Sequence, residues 1–415
     1  GNTALATIDP NANFGESASN VNFISAFRTS GLTALPAGLD MSQGSLFNAT
    51  FRDCTSLATI GTGVLLGTAN ATATVNYADT FNGCTNLTAL PAGLDLSQGS
   101  DFNNAFNGCP SLTTIGTGVL LGTASTSVNF LNAFRACTAL ESLPAGLDMS
   151  RGDDFRTAFY NCPSLTTIGS GVLLGTANGT ATVNFTQAFL DCTGLTELPA
   201  GLDLSQGSSF SSAFNGCASL TTIGTGVLLG TASTSVNFAY AFYASGLTAL
   251  PAGLDMSQGS SFYLAFYGCT SLTTIGTGVL LGTAASSVNF TQAFLNCSNL
   301  VTLPSNLNLS SGTDFQSAFE NCSSLVTFPA GAFDTFAPVG AAANCFLNAW
   351  DGCTSLSGAS VDAILDSIDT SGKSAPGTGP DITIDYDTGT TSPAYTTLAS
   401  LKGKGWVIIV NGTTL

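Results

Sequence analysis

The chain repeats one sequence pattern along most of its length. The stretch AFNGCPSLTTIGTGVLLGTASTSVNF at 105–130 returns almost unchanged at 213–238. A shorter motif, two aromatic residues four positions apart, occurs thirteen times at intervals of 24 to 31 residues. Its copies are Phe23/Phe27, Phe47/Phe51, Tyr77/Phe81, Phe102/Phe106, Phe130/Phe134, Phe155/Phe159, Phe185/Phe189, Phe210/Phe214, Phe238/Phe242, Phe262/Phe266, Phe290/Phe294, Phe315/Phe319 and Phe346/Trp350. Such intervals are typical of solenoids, in which each repeat buries its apolar side chains only against its neighbours.

Each repeat predicts one coil with a short helix and a short strand. Aromatic residues at i and i+4 share one face of a helix, so FNNAF predicts a helical turn that buries Phe102 and Phe106. Asn129 or Ser100 stands where an N-cap would begin such a turn. The following SLTTI favours a strand, and the Gly and Pro residues of IGTG and LPAGL predict turns. The predicted fold is an α/β solenoid of about thirteen coils, whose parallel strands stack about 4.8 Å apart.

Composition restricts the possible partners. The 415 residues are 44% hydrophobic, contain no histidine and carry a formal net charge of −17. Because this charge repels nucleic-acid phosphates and anionic lipid, we expect no nucleic-acid partner and no membrane insertion. Apolar runs such as GVLLGTA are also too short to cross a bilayer. No charged leader segment or initiator Met precedes Asn2, so we expect the sequence to be part of a longer chain without a signal peptide.

The cysteines recur once per coil. Eleven of the twelve stand three residues after the second aromatic, and Ser30 and Ser245 replace them in two coils. Neither a CxxC motif nor histidine is present to complete a metal site, and the two serines argue against required disulfides. We therefore predict buried, reduced thiols that pack as small apolar groups. A bridge between Cys345 and Cys353 stays open as a minor alternative.

The two ends of the sequence depart from the repeat. Residues 1–357 form the predicted solenoid and 358–415 a small α/β capping module, with a helix in SVDAILDSIDTSG that ends at Gly372. The strand DITIDY, the helix SPAYTTLASLKGKG and the strand WVIIVNG follow. The first residues align with the interior of a repeat. We expect either a preceding segment or another virion or surface protein to cover that edge.

The acidic residues favour a structural role over catalysis. Without histidine the commonest general base is absent, and we expect no enzymatic activity and no cofactor. Asp40, Asp95, Asp148, Asp203 and Asp255 recur in GLDLS or GLDMS, with Asn308 in the sixth copy. Catalysis needs groups in differing environments, whereas these share one. Turn capping is favoured over calcium ligation.

Positions that vary between near-identical coils are the candidate binding residues. The residue after the second aromatic changes from coil to coil, and all five arginines fall on or near these segments. Four of the eight tyrosines lie on two adjacent coils. Tyr and Arg anchor interfaces, and aromatic faces also suit sugar rings. The predicted binding residues are Tyr240, Tyr243, Tyr263, Tyr267, Arg135, Arg156 and Tyr160. The alternative is that they are ordinary solvated residues.

The motif AFxxCxxLxxI resembles the BspA-like leucine-rich repeat, and LDLSQGSDFNNAFNGC is similar to a related surface-protein repeat. The resemblance covers about residues 1–357 and implies a leucine-rich-repeat-like fold. It implies a surface adhesin, a part of a phage virion or a binding scaffold as the function. The C-terminal VDAILDSIDTSG and GWVIIVNG resemble the ending of repeat proteins from the tails or fibres of tailed phages.

Three functions are compatible with these features. The first is a virion-associated adhesin or tail-fibre component that binds a host-surface glycan or protein. The second is a structural rod subunit of a virion or extracellular filament, assembled by end-to-end stacking, and the third is a bacterial cell-surface adhesin. Each of them predicts a location on a virion or an extracellular surface.

Overall fold

The computed structural model describes residues 2–12, 14, 20–69, 74–179, 182–336, 343–377 and 381–415. The chain divides into two compact units, Gly1–Gly207 and Ser208–Leu415. Most coils contain three very short strands instead of the single predicted one, and within each unit successive coils place equivalent strands side by side in parallel. Three ladders of strands therefore run through the coils. The boundary predicted at 357 stays a prediction.

The first ladder directly precedes the aromatic pairs. Its strands are Val21–Asn22, Gly44–Leu46, Val75–Asn76, Gly99–Asp101, Val128–Asn129, Gly152–Asp154, Val183–Asn184, Gly207–Ser209, Val236–Asn237, Gly259–Ser261, Val288–Asn289 and Gly312–Asp314. Asp101 aligns with Asn129 and Asn129 with Asp154, although the register shifts within the second of these pairings, where Val128 aligns with Gly152. The residue that precedes each aromatic pair is thus aligned with the equivalent residue of the neighbouring coil.

The second ladder lies in the predicted SLTTI strand. Its strands are Ala34–Leu35, Thr59–Ile60, Ala89–Leu90, Thr114–Ile115, Ser142–Leu143, Thr167–Ile168, Glu197–Leu198, Thr222–Ile223, Ala249–Leu250 and Thr274–Ile275. The third ladder comprises Asp40–Met41, Leu65–Leu66, Asp95–Leu96, Leu120–Leu121, Asp148–Met149, Leu173–Leu174, Asp203–Leu204, Leu228–Leu229, Asp255–Met256 and Leu280–Leu281. In both ladders the second residue of each strand is buried, because side chains alternate across a strand.

The aromatic pair lies in a series of turns and not in a helix. We call the eight residues from the first aromatic to the cysteine position the aromatic turn, as in residues 102–109. Asn104 has a φ of 55° there, in the left-handed region. Its N–H donates to Leu131 O of the next coil at 2.9 Å, and Phe106 N–H donates to Ala133 O at 2.8 Å. Backbone donors that a helix would use within itself therefore join one coil to the next.

The predicted short helix in each coil is wrong because of the spacing between coils. Rings at equivalent positions stack 5.2 Å apart for Phe102 and Phe130, and 5.0 Å apart for Phe106 and Phe134. A helix is about 10 Å across with its side chains, so helices cannot stack at this spacing. The predicted burial of the aromatic pairs is confirmed by these rings, which are at most 1% exposed.

The predicted N-cap residues close turns. The Asn129 side-chain Oδ1 accepts a hydrogen bond from Leu131 N–H at 3.0 Å, two residues ahead. In the other type of coil Asp101 has this role, since its Oδ1 accepts from Asn103 N–H at 3.0 Å, whereas Ser100 was the predicted cap. These are side-chain turns that begin the aromatic turn.

The cysteine thiols satisfy buried carbonyl groups. Cys109 Sγ donates to Phe81 O at 3.1 Å, and Cys137 Sγ donates to Phe106 O at 3.2 Å. Burial raises the pKa of Cys109 to about 12. All twelve cysteines lie in the described residues and are buried thiols, so the prediction of buried, reduced cysteine is confirmed and Cys345 and Cys353 form no bridge.

The repeated aspartates cap turns, as predicted. Asp40 Oδ1 accepts from Ser42 N–H at 2.8 Å, and Asp95 Oδ1 accepts from Ser97 N–H at 2.9 Å. Asn308 Oδ1 makes the same bond at 2.9 Å. An amide that replaces a carboxylate in this role indicates that the oxygen, and not the charge, is what the turn requires.

The C-terminal elements follow the predicted order. The helix Gly358–Thr370 precedes Gly372, whose φ is 72°, and the short helix Leu398–Gly403 follows later. Strands Phe346–Trp350, Ile382–Ile384 and Ile408–Val410 pair in parallel, and Thr413–Thr414 is antiparallel to the last of them. Phe346 stacks on Phe315 at 5.1 Å, so this sheet continues the aromatic stack. None of the helices in the described ranges has the length and apolarity that a bilayer crossing requires.

Candidate functional site

The outward positions of the aromatic turn can vary without disturbing the core. In residues 130–137, Phe130, Ala133, Phe134 and Cys137 are at most 1% exposed. The third and sixth residues of this turn, Asn132 and Arg135, face outward. A change at either position therefore alters the surface and leaves the stacked rings in place.

Three consecutive aromatic turns form a groove in the first unit. The groove has a volume of about 340 Å³. Its lining consists of the third and sixth residues of each turn, namely Asn132, Arg135, Thr157, Tyr160, Gln187 and Leu190. We call it the Arg135 groove. It joins two predicted binding residues, Arg135 and Tyr160, in one concave surface.

Arg135 lies over an aromatic ring. Its guanidinium carbon is 5.2 Å from the centre of the Tyr160 ring, a cation–π contact between adjacent coils. Within the described ranges Arg135 has no carboxylate within ion-pair distance. By contrast, Arg28 pairs with Asp53 at 3.5 Å. The groove therefore holds a cation that the protein does not neutralise by contact.

Arg156 lies outside this groove. It forms a two-pronged ion pair with Asp154, at the end of the preceding strand, with Nη2 2.7 Å from Oδ2 and Nε 3.0 Å from Oδ1. Its side chain is thus held by a neighbouring carboxylate. A binding role for Arg156 stays a prediction.

The four predicted tyrosines meet in the second unit. Tyr243 and Tyr267 stack in parallel with ring centres 4.7 Å apart, and Tyr240 meets Tyr263 edge-on at 5.3 Å. We call these four residues the Tyr243 cluster. Burial, and a hydrogen bond to Tyr263, raise the pKa of Tyr240. All four side chains are half-buried, so together they form a continuous aromatic surface.

The Tyr243 cluster overlaps the sequence echo of the Arg135 groove. Positions 105 to 108 residues further along the chain correspond to the six groove residues and hold Tyr240, Tyr243, Leu264, Tyr267, Gln292 and Leu295. Tyr, Gln and Leu are kept at three of them. The other three replace Asn132, Arg135 and Thr157 by larger apolar or aromatic side chains. We call these six residues the echo site.

Inspection of the sixth position alone missed three groove residues. Asn132, Thr157 and Gln187 occupy the third position, which precedes the small alanine of the motif. The signal was present in the same alignment, because this position also varies from coil to coil. A helical turn would also place the third and sixth residues on one face, since they are three positions apart, so this signal did not depend on the local backbone.

The fold and the variable outward positions define a parallel-coil repeat protein with a constant core and a changing surface. A model of the BspA type leucine rich repeat region matches residues 68–170, 103–236, 132–275 and 235–356, and the chain belongs to this family. No curated protein matches the chain significantly.

The chain also matches several solved structures at less than 20% identity. A leucine-rich repeat protein from Bacteroides ovatus is 16% identical, with 85% of this chain and 86% of that chain covered and a TM-score of 0.41. A leucine rich cell surface protein from Faecalibacterium prausnitzii is 17% identical, with 86% and 81% covered and a TM-score of 0.35. TLR13 in a complex with ssRNA13 is 12% identical, with 79% and 59% covered and a TM-score of 0.23.

Proposed function

We propose that the chain is a non-enzymatic adhesin or tail-fibre component, located on a virion or another extracellular surface, that binds a host-surface glycan or protein. The Arg135 groove is the observation that carries this proposal. It combines a guanidinium, an aromatic ring, two amides and a hydroxyl on a rigid repeated core. Tyr and Arg are the side chains that most often anchor interfaces.

The acidic residues support binding over chemistry. The repeated aspartates share one turn-capping arrangement, as Asp148 Oδ1 shows by accepting from Ser150 N–H at 2.9 Å. A catalytic pair needs two groups whose environments push their pKa values apart, and equivalent caps do not supply this. The groove offers donors and an aromatic face, which are the features of a recognition surface.

The assignment to a virion is supported by the resemblance of the C-terminal module to the endings of phage tail and fibre proteins. Other virion or surface proteins at the N-terminal edge are the proposed assembly partners. A bacterial cell-surface adhesin would use the same groove. Imaging of gold-labelled antibody on intact particles and on intact cells separates the two locations.

The test is binding to surfaces by the full chain. Fluorescently labelled chain is applied to a glycan array and to intact bacterial cells, with Arg135→Ala/Tyr160→Ala and Tyr243→Ala/Tyr267→Ala as the variants. We expect wild type to bind and at least one variant to lose about 90% of the signal, since interface anchors are worth about 1 to 2 kcal/mol or more. Asn107→Ala, at the sixth position of another turn, is the matched control.

Circular dichroism confirms that each variant is folded. Equal signal from wild type and both double variants would contradict the proposal, as would wild type that binds no glycan and no cell. Ordered filaments of wild type without any surface binding would support the structural rod instead.

A further inference from the structure

We infer that the Arg135 groove binds a sugar that carries a carboxylate, such as a uronic acid or a sialic acid. The inference deepens the proposed function, on which it rests, by naming the chemical class of the glycan. It begins from Arg135, which lies over an aromatic ring and has no acidic partner among the described residues.

Arg135 is positioned for an anion from outside the protein. Among the described residues, Arg28, Arg52 and Arg156 each lie within 4.0 Å of an aspartate oxygen, at 3.5, 3.6 and 2.7 Å respectively. Arg135 instead lies over the Tyr160 ring, 5.2 Å from its centre. Stacking on a ring leaves the edge of the planar guanidinium and its N–H donors open, and this edge matches the two oxygens of a carboxylate.

The other groove wall also offers donors. The Thr157 hydroxyl donates to Asn132 Oδ1, which occupies the amide oxygen of Asn132 and fixes the orientation of that side chain. No described residue accepts a hydrogen bond from Asn132 Nδ2. An amide N–H₂ group and a guanidinium therefore lie on one concave surface, and both can donate to the acceptors of a ligand.

The lining favours a sugar over other carboxylates. Gln187 adds a second amide, which can both donate to and accept from hydroxyl groups. Leu190 and the Tyr160 ring provide apolar contact for the carbon face of a pyranose. The groove spans three coils whose core rings lie 5.2 Å apart at each step, so its length suits one or two sugar units.

The net charge of the protein makes this site selective. A chain with a formal charge of −17 repels polyanions at long range, so a general attraction for acidic polymers is not expected. Binding must come from short-range contacts in the groove. Moderate salt screens both the long-range repulsion and the attraction between the exposed Arg135 guanidinium and a carboxylate, and because these effects oppose each other the affinity for a small acidic sugar should change little.

The echo site lacks the arginine and the asparagine amide that the Arg135 groove offers to a ligand. Tyr240, Tyr243 and Leu264 stand where the groove has Asn132, Arg135 and Thr157. Leu264 and Leu295 are each only 8% exposed, whereas the groove residue Leu190, equivalent to Leu295, is half-buried. The larger side chains thus cover the surface and place no cation on it. The chain contains its own control for the proposed ligand.

The experiment uses isothermal titration of the full chain with digalacturonate and with sialyllactose, each compared with neutral lactose. We expect at least one acidic sugar to bind with one site per chain, and lactose to bind about tenfold more weakly or less. Arg135→Gln should weaken the acidic sugar about tenfold, and Arg135→Lys should restore only part of the affinity because it lacks the planar fork.

Exchanging the two surfaces gives the sharper test. The variant Asn132→Tyr/Arg135→Tyr/Thr157→Leu should lose binding, and Tyr240→Asn/Tyr243→Arg/Leu264→Thr in otherwise wild-type chain should raise the stoichiometry from one site to two. Both sets leave every core ring unchanged, and thermal unfolding checks that the variants fold. Arg28→Gln, which removes an arginine paired with Asp53 outside the predicted binding residues, is the control for loss of a surface arginine.

The outcomes separate this inference from the proposed function. Absence of binding to both acidic sugars, equal binding of lactose, or full affinity in Arg135→Gln overturns the inference. If the glycan array or cell signal then persists and falls only in Tyr243→Ala/Tyr267→Ala, the adhesin proposal stands without it. Binding of a hexaglutamate peptide in preference to both sugars overturns the sugar class and assigns the groove to acidic protein segments.

Discussion

The Arg135 groove and its echo site are two surfaces on one kind of core. The turns that carry them, 130–137 and 238–245, each bury two phenylalanines and one alanine at the same positions, all at most 1% exposed. Their third and sixth residues differ, with Asn132 and Arg135 in one and Tyr240 and Tyr243 in the other. Duplication has therefore kept what stacks and changed what faces solvent.

The comparison of the two turns identifies the positions that can change without disturbing the core. Buried positions must fit the rings of both neighbouring coils, so a change there is felt in three coils. The third and sixth positions carry no such constraint on ring packing. Even backbone strain is tolerated there, since Tyr240 and Leu264 adopt φ values of 58° and 56°, which bulky residues rarely do.

The largest expected effect tests the buried thiol ladder, which both regions share. Burial raises the pKa of Cys109 and of Cys322 to about 12. A folded-state pKa above the unfolded value gives stability that is complete below the unfolded pKa, about 8.5, and is lost as pH rises toward the folded value. Each of these two thiols should cost about 1.4 kcal/mol of unfolding free energy per pH unit in this window.

The measurement is urea unfolding at pH 8 and pH 10. The unfolding free energy of wild type should fall by many kcal/mol from pH 8 to pH 10. The unfolding free energy of Cys109→Ser/Cys322→Ser should fall by about 2 kcal/mol less for each thiol replaced, because serine does not titrate in this pH range. Coincident unfolding curves for wild type at both pH values would show that the thiols do not control alkaline stability.

The next largest effect tests whether the cores of the two regions are equivalent. Phe159 stacks on Phe134 at 5.5 Å and on Phe189 at 5.1 Å, and Phe266 has matching neighbours at 5.5 and 5.0 Å. Phe159→Ala and Phe266→Ala should each cost about 3 to 5 kcal/mol in unfolding free energy, because each leaves a cavity in the stack.

Matched controls lie one residue away from each phenylalanine. Tyr160→Ala and Tyr267→Ala remove an outward ring from the same two turns and should cost about 1 kcal/mol or less, since the core stack is untouched. Urea unfolding at pH 7 measures all four variants. A small cost for one phenylalanine and a large cost for the other would show that the two cores differ in spite of their sequence.

Much of this architecture could be predicted from the sequence. The period of the aromatic pairs predicts stacked coils, and the recurrence of cysteine at one place in eleven coils predicts buried thiols. Asn308 in place of aspartate already indicates a turn cap rather than a charge. Arg135 and Tyr160 were predicted from variation at the sixth position. These predictions hold because they depend on which residues recur, whatever the local backbone is.

The helix in each coil was the error, and its cause is tertiary. An i, i+4 aromatic pair has the same spacing in a helix as in two successive four-residue turns, so the sequence of one coil does not distinguish them. Only the 5 Å spacing between coils decides, because it excludes an element about 10 Å across. The third-position residues of the groove, such as Asn132 and Thr157, were missed for a different reason, because only the residue after the second aromatic was compared between coils.

The smallest expected effect concerns the last difference between the two turns, Cys137 against Ser245. Cys137 Sγ donates to Phe106 O at 3.2 Å, while the Ser245 hydroxyl lies 3.3 Å from Cys269 Sγ. Cys137→Ser keeps a donor of similar size at the buried position, so we expect a loss of about 0.5 to 1.5 kcal/mol in urea unfolding at pH 7. Ser245→Cys should change stability by no more than that.

Cys137→Val removes the donor and leaves the Phe106 carbonyl without its thiol partner, which should cost about 1 to 3 kcal/mol. If valine were tolerated better than serine, the position would select for apolar volume alone, and the thiol would act only by packing. The hydrogen bond from each cysteine to the preceding coil would then contribute nothing to the stability of the stacked coils. The difference between Cys137 and Ser245 would be accidental.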